Sequence, residues 1–248
     1  VMALAFSPDG STLAAASADS SVYRWDVTGD EPVPLGEPLG GAGDQLQSVA
    51  FSPDGTVIAA GCADGLVHRW NAGDGSRLPD LAGPTGAVGT VAFHPDGSAL
   101  VAGSKDTNLY TWALGTPDGE AADPTVVEDA GSWVNAAAWS PDGDLLAAAG
   151  SDRYLRLYES STGTLVSEIP HPSQVTGAAF LPDHGLVTGA ADGVVRLWPS
   201  PAPAAPIPGG RVFAVAAGRD DTLYVAGSGS GLVRSYDISR DHLPRALA

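Results

Sequence analysis

Lysine is almost missing from this chain. Lys105 is its one ammonium side chain, and 12 lysines and arginines together face 29 acidic residues, for a formal net charge of -17. No basic stripe is available to displace counterions from phosphates, so direct binding of nucleic acid or of an anionic membrane is not expected. The same charge favours solubility and steers basic partners toward the surface. Cysteine is nearly absent too: Cys62 stands alone. An internal disulfide framework is excluded, a reducing, cytoplasmic compartment fits, and the thiol reads as a small packed apolar group. No apolar run reaches the roughly 18 residues of a membrane-spanning helix. His68, His94, His171, His184 and His242 follow no metal-ligand spacing, and neither a Gly-x-Ser-x-Gly elbow nor a Cys/His nucleophile pattern occurs. No metal, no cofactor and no catalysis are therefore expected.

What the chain has in abundance is repetition. AFSPDG at Ala5 to Gly10 returns at Ala50 to Gly55, as AFHPDG at Ala92 to Gly97, AWSPDG at Ala138 to Gly143 and AFLPDHG at Ala179 to Gly185; a worn sixth copy reads AAGRDD at Ala216 to Asp221. The turn prolines Pro8, Pro53, Pro95, Pro141 and Pro182 lie 41 to 46 residues apart. That period suits a four-stranded propeller blade and is too long for ankyrin or leucine-rich units. Short apolar, β-branched runs follow each turn, Thr12 to Ser17 and Ser21 to Trp25 first, then Val57 to Cys62 and Leu66 to Trp70. No helical spacing is sustained, so these read as strands. Pro-Asp-Gly suits a type I turn: proline presets φ, aspartate bonds its own backbone, and glycine accepts the exit geometry.

An aspartate six residues before an aromatic recurs in phase: Asp19 with Trp25, Asp64 with Trp70, Asp106 with Trp112, Asp152 with Tyr158 and Asp192 with Trp198. In the sixth copy Tyr236 survives, with Ser230 in place of the aspartate. On these residues the whole chain resembles the WD-repeat family of β-propellers. The name-giving Trp-Asp pair is intact at Trp25-Asp26 alone. The resemblance implies an all-β fold of six four-stranded antiparallel blades, at about 1–42, 43–84, 85–130, 131–171, 172–208 and 209–248, closing as six or belonging to a seven-bladed or longer array. Many members brace each blade with histidine, serine, aspartate and tryptophan. The serine expected two positions before the aspartate is present at Ser17 and Ser104, whereas Cys62, Gly150 and Ala190 replace it elsewhere; the histidine occurs as His171, against Ala42, Pro84 and Ala130. A structural role is expected for His171, with the remaining aspartates serving local turns.

The resemblance also implies a partner-binding face, formed six and eight residues before each turn proline and just before each blade aspartate. Carried across, this selects Met2, Gln45, Gln47, Ala87, Gly89, Trp133, Asn135, Gln174, Thr176, Arg211 and Phe213, with Lys105 and Ser151. Gln45, Gln47, Lys105, Trp133, Asn135, Gln174, Arg211 and Phe213 form the candidate site, in which aromatic and arginine side chains have hot-spot chemistry. Packing between blades is the competing role for each. The expected function is a non-catalytic, monomeric scaffold for a protein or peptide partner, the docking or sensing part of a larger bacterial signalling protein such as a kinase or a STAND-type NTPase. A propeller hydrolase or lactonase with an axial site is the alternative. The opening at Val1 inside a strand suggests a fragment. Three stretches depart from the repeat: an acidic loop over Thr116 to Asp129, the PSPAPAAPIP tract over Pro199 to Pro208, expected to replace an outer strand and blunt an edge, and the connecting loop over Gly36 to Gly43.

Overall fold

The computed structural model describes residues 1–115, 123–128, 130–182 and 185–198 in full, and the backbone of 205–206, 212–217, 222–227 and 233–237. The described elements are all strands, each paired antiparallel with its neighbour in sequence. They fall in two compact units, Val1–Asp129 and Ala130–Ala248. The first unit holds three four-stranded sheets. Sheet one is β1 (Ala3–Phe6), β2 (Thr12–Ala16), β3 (Val22–Asp26) and β4 (Val33–Pro34). Sheet two is β5 (Leu46–Phe51), β6 (Val57–Cys62), β7 (Val67–Asn71) and β8 (Arg77–Leu81). Sheet three is β9 (Val88–Phe93), β10 (Ala99–Ser104), β11 (Leu109–Ala113) and β12 (Thr125–Val127). The second unit repeats the plan as sheet four, β13 (Val134–Trp139), β14 (Leu145–Gly150), β15 (Tyr154–Glu159) and β16 (Leu165–Pro170), and sheet five, β17 (Val175–Phe180), β18 (Leu186–Ala190), β19 (Val194–Trp198) and β20 (Ala205–Pro206). Sheet six has β21 (Val212–Ala217), β22 (Thr222–Gly227) and β23 (Val233–Asp237).

Two expectations need correction. Five complete four-stranded blades are present, not six, because the sixth sheet has three strands among the described residues. Outer strands vary most in length, with two residues in β4 and β20 and three in β12, against five in β8 and six in β16. Residues 238–248 lie outside the described residues. The proline tract does not wholly replace the outer strand of sheet five: Ala205 and Pro206 pair with Val195 and Val194 as β20. Proline is tolerated there because an edge strand leaves one row of N–H groups unused. The rest of that tract, and residues 116–122 of the acidic loop, lie outside the described residues.

Alanine-rich second strands explain how sheets stack. Val49 and Phe51 of β5 pack with Ala14 and Ala16 of β2, and Val91 and Phe93 of β9 pack with Ala59 of β6. In the second unit Ala178 and Phe180 pack with Ala147 and Ala149. β1 has no sheet ahead of it in its unit, so Leu4 is 55% exposed where its counterparts Val49 and Val91 are 8% and 7% exposed. Small side chains let the layers approach until even a methyl is too much: a Cβ on Gly61 would lie 2.7 Å from Val88 Cγ1 and 2.9 Å from Val88 O. Gly61→Ala should therefore destabilise the chain by ~1–3 kcal/mol in urea unfolding, through backbone displacement of β9. An unchanged midpoint would mean that the layers have slack.

Candidate functional site

Each Pro-Asp-Gly turn joins the end of a first strand to the start of the second. In the first repeat the Ser7 hydroxyl, followed by the Ser11 N–H and hydroxyl, holds the Asp9 carboxyl down at a pKa of about 2, while Gly10 donates to Ser7 O at 2.8 Å with φ of 75°. The opposite end of each sheet carries the blade aspartates. Each caps the N–H two residues on and grips the side chain four residues on: Asp19 holds Ser21 N and the Tyr23 hydroxyl, Asp106 holds Asn108 N and the Tyr110 hydroxyl, and Asp192 holds Val194 N and Arg196. Asp152 likewise holds Tyr154 N and Arg156, and Asp64 holds Leu66 N with His68. The Tyr23 hydroxyl keeps the Asp19 carboxyl below its ordinary pKa. At Asp106 burial pushes upward but is outweighed by N–H groups led by those of Thr85 and Asn108. The aspartates thus clamp their own turns, and Asp64 and Asp106 also reach back to Gly43 N, Thr85 N and Gly86 N before the first strand of the same sheet.

The brace of His171 differs in detail from the expected one. The hydroxyl that joins histidine to tryptophan is Thr188, four residues before Asp192, not two. His171 Nε2 lies 2.8 Å from Thr188 Oγ1, Trp198 Nε1 donates to the same oxygen at 3.1 Å, and His171 Nδ1 lies 3.0 Å from Ile169 O. One consistent proton order satisfies all three: Nδ1–H to the carbonyl, Thr188 hydroxyl to Nε2, indole N–H to Thr188. Alanine fills the Thr188 position elsewhere, at Ala60 in sheet two and Ala102 in sheet three. There the indole reaches the backbone directly: Trp70 Nε1 donates to Gly40 O at 3.1 Å and Trp112 Nε1 to Ala82 O at 3.2 Å. Gly40, Ala82 and Ile169 each lie two residues before the histidine slot, so His171 and Thr188 form a relay between groups that meet directly in sheets two and three. The serines two before the aspartate cap its turn instead, Ser104 Oγ accepting Asp106 N at 3.1 Å and Ser17 Oγ accepting Asp19 N at 3.4 Å.

The end that bears the aspartates also carries an irregularity invisible in the sequence. In β5–β6, Leu46 pairs with Cys62 and Ser48 with Gly61, leaving Gln47 as an extra residue. The same slip singles out Gly89, Asn135, Thr176 and Phe213. These are the positions six before the turn. A bulge bends its strand and re-aims a side chain that alternation would send into the sheet-packing face. The positions two residues earlier are tied to the aspartate turn: Gln45 O accepts Ala63 N, Ala87 O accepts Lys105 N, Trp133 O accepts Ser151 N and Gln174 O accepts Ala191 N, at 2.8 to 3.0 Å. Gln45, Lys105 and Gln174 are exposed, Gln47 is half-buried, and Trp133 is 53% exposed. Asn135 is partly structural, its Nδ2 donating to Ser151 Oγ at 3.0 Å and to Val175 O at 2.9 Å, from sheet four to sheet five. Gln45, Gln47 and Lys105 belong to the first unit and Trp133, Asn135 and Gln174 to the second. Arg211 lies outside the described residues, as does the side chain of Phe213.

Sequence spacing passed over one cluster. Cys62, Asp64 and His68 bring their sulfur, oxygen and nitrogen atoms within 4.8 Å of one another at the same end of sheet two. Cys62 packs in the core as expected, and its thiol also donates to Asp44 O at 3.2 Å. Burial pushes its pKa up to about 11, so the thiol keeps its proton while no cation lies beside it.

The chain matches the family described as WD domain, G-beta repeat, over residues 1–26, 36–71, 75–113, 125–159 and 163–199. Matches over most of the chain, with five blades built to one plan, make it a member of that family of WD-repeat β-propeller proteins. Among characterised proteins it is similar to Periodic tryptophan protein 2 of Arabidopsis thaliana, 34% identical over 67 residues that make up 26% of this chain and 7% of that protein. Three of the five matched repeats are out of step with the sheets, each taking in the outer strand of the sheet before. Residues 75–113, for example, take in β8 of sheet two and β9 to β11 of sheet three.

Proposed function

We propose that the chain is a non-catalytic scaffold that captures a protein or peptide partner on the bulged end of its sheets, through Gln45, Gln47, Lys105, Trp133, Asn135, Gln174, Arg211 and Phe213. The observation that carries this reading is the bulge itself. In five sheets the extra residue falls at the position that family members use to meet partners, and bulges are devices for re-aiming side chains at functional edges. Membership of the WD-repeat family supports interaction over catalysis. The hydrolase alternative draws no support, because β1, β5, β9, β13 and β17 carry no histidine, aspartate, glutamate or cysteine. Among the described residues no helix is long and apolar enough to cross a membrane. The proposal places the propeller in the cytoplasm as the docking or sensing part of a larger bacterial signalling protein, a kinase or STAND-type NTPase, where an acidic, lysine-poor surface would draw basic segments of a partner.

The test is affinity capture by the propeller, compared with a Trp133→Ala, Gln174→Ala variant. Exposed positions of this kind alter stability by roughly 0.5 kcal/mol or less, whereas loss of an aromatic anchor should weaken capture by roughly tenfold or more. Equal capture by both forms would refute the assigned face, and a large fall in the thermal midpoint would make Trp133 a packing residue.

A further inference from the structure

Three positions around the blade aspartate are filled alike in sheets one and three: Ser17, Asp19 and Tyr23 in one, Ser104, Asp106 and Tyr110 in the other. Both sets offer hard oxygen groups. Sheet two holds Cys62, Asp64 and His68 at the same three positions, exchanging both hydroxyls for softer donors. These residues are brought to one point: Cys62 is fully buried, His68 is 2% exposed, and their donor atoms and the Asp64 carboxylate lie within 4.8 Å of one another.

The surroundings of His68 supply a second, independent indication. Its Nε2 faces Asp64 Oδ2 at 2.9 Å while Nδ1 lies 2.9 Å from Asp80 Oδ1 and 3.1 Å from Arg77 Nη2. Asp80 is in turn held by Arg77 Nη2, at 2.6 and 2.9 Å to its two oxygens. A histidine whose far nitrogen is fixed by a carboxylate is the usual supporting shell of a metal-ligating imidazole. Tyr23 and Tyr110, at the corresponding positions, have no such second nitrogen to fix.

We propose that Cys62 Sγ, Asp64 and His68 Nε2 form a binding site for a divalent transition metal, with zinc the ion that suits a thiolate, a carboxylate and an imidazole best. On binding, the Cys62 S–H bond breaks, its proton passes to water, and a sulfur–metal bond forms. His68 keeps one proton on Nδ1, directed at Asp80, and presents its Nε2 lone pair. The thiolate and the Asp64 carboxylate balance the charge of the ion, and Asp80 is balanced by Arg77. Three protein ligands leave the fourth position of a tetrahedral ion to water. The site would pin the β6–β7 turn of sheet two to the base of β7.

The probe is cobalt(II), added to the whole chain after treatment with a chelator. Cys62 is the single cysteine, so thiolate-to-cobalt charge-transfer absorption in the near ultraviolet reports this site alone. The expected result is a band that saturates at one equivalent and is displaced by zinc. Cys62→Ser should abolish it. His68→Tyr, which together with Cys62→Ser reproduces the residues of sheets one and three, should fold and bind at least about tenfold more weakly, and Asp80→Asn should weaken binding by about 10–100-fold without removing a ligand. Should His68→Tyr fail to fold, Asp80→Asn carries the test. No band, a band without saturation at one equivalent, or unchanged affinity in the folded variants overturns the site.

Discussion

Replacing Trp70 by alanine should cost about 3–5 kcal/mol of unfolding free energy, the range for emptying a buried aromatic site. Trp70 is fully buried, its ring lies 6.1 Å from that of His68, and the Arg77 guanidinium sits 5.4 Å from its centre. The cavity cannot refill easily, because its neighbours in the cluster, among them Ala14, Ala16, Leu46 and Ile58, are fully buried on paired strands. Trp70→Phe keeps most of the volume and gives up the indole hydrogen bond. Gly40 O then keeps Arg77 Nη1 at 3.3 Å as a donor, so this variant should lose only about 1 kcal/mol. Trp25 is half-buried, and Trp25→Ala should cost less than Trp70→Ala. Urea unfolding of the three variants checks the order; equal losses at Trp25 and Trp70 would contradict the packing described.

His171→Ala should cost about 1–3 kcal/mol near neutral pH, since it leaves the buried Thr188 O–H without an acceptor, while Trp198 Nε1 still donates to the Thr188 oxygen. Removing Thr188 as well should add little: sheets two and three already manage with alanine at that position and no histidine. A double-mutant cycle should therefore show strong coupling between the two residues. A pH dependence follows. Burial lowers the pKa of His171, with Arg196 adding to the fall and Asp192 opposing it. A neutral imidazole is thus favoured in the folded chain, and its contribution is present above the unfolded pKa of 6.5 and lost as pH falls below it. The stability gap between the parent and His171→Ala should narrow on acidification through that window. A gap that widens would mean that the folded chain favours the imidazolium instead.

The repeat period, the strands behind each turn and the turn-capping half of the aspartate clamps are legible in the sequence because they are local, whereas the bonds of Asp64 to Gly43 N and of Asp106 to Thr85 N are not. Thr188 was not found, because the pairing of β18 with β19 decides which hydroxyl meets Trp198, and that register cannot be read from distance along one strand. The bulges escaped for the same reason. Gln47 is extra only relative to β6, and no gap or turn residue marks it in LQSVAF. The site residues selected by phase lie on elements whose chain positions were legible, yet Asn135 shows what phase omits: its amide is occupied in joining two sheets. The Cys62, Asp64 and His68 cluster spans a turn and depends on the side on which β6 and β7 present their side chains. Spacing among histidines could not reveal it, since one histidine is involved.

The offset between repeat and sheet has a bearing on how such a chain can lengthen or shorten. Excising residues 75–113 would take away β8 together with β9, β10 and β11, and the next strand downstream, β12, would then follow β7. A four-stranded sheet β5-β6-β7-β12 would result, with its outer edge covered as before. Loss or gain of a unit cut at 75–113, 125–159 or 163–199 leaves no strand without a partner, so the number of blades can change there by a whole step without baring a long sheet edge to aggregation. A cut at 36–71 differs, since it removes β5, β6 and β7 and leaves β8 behind.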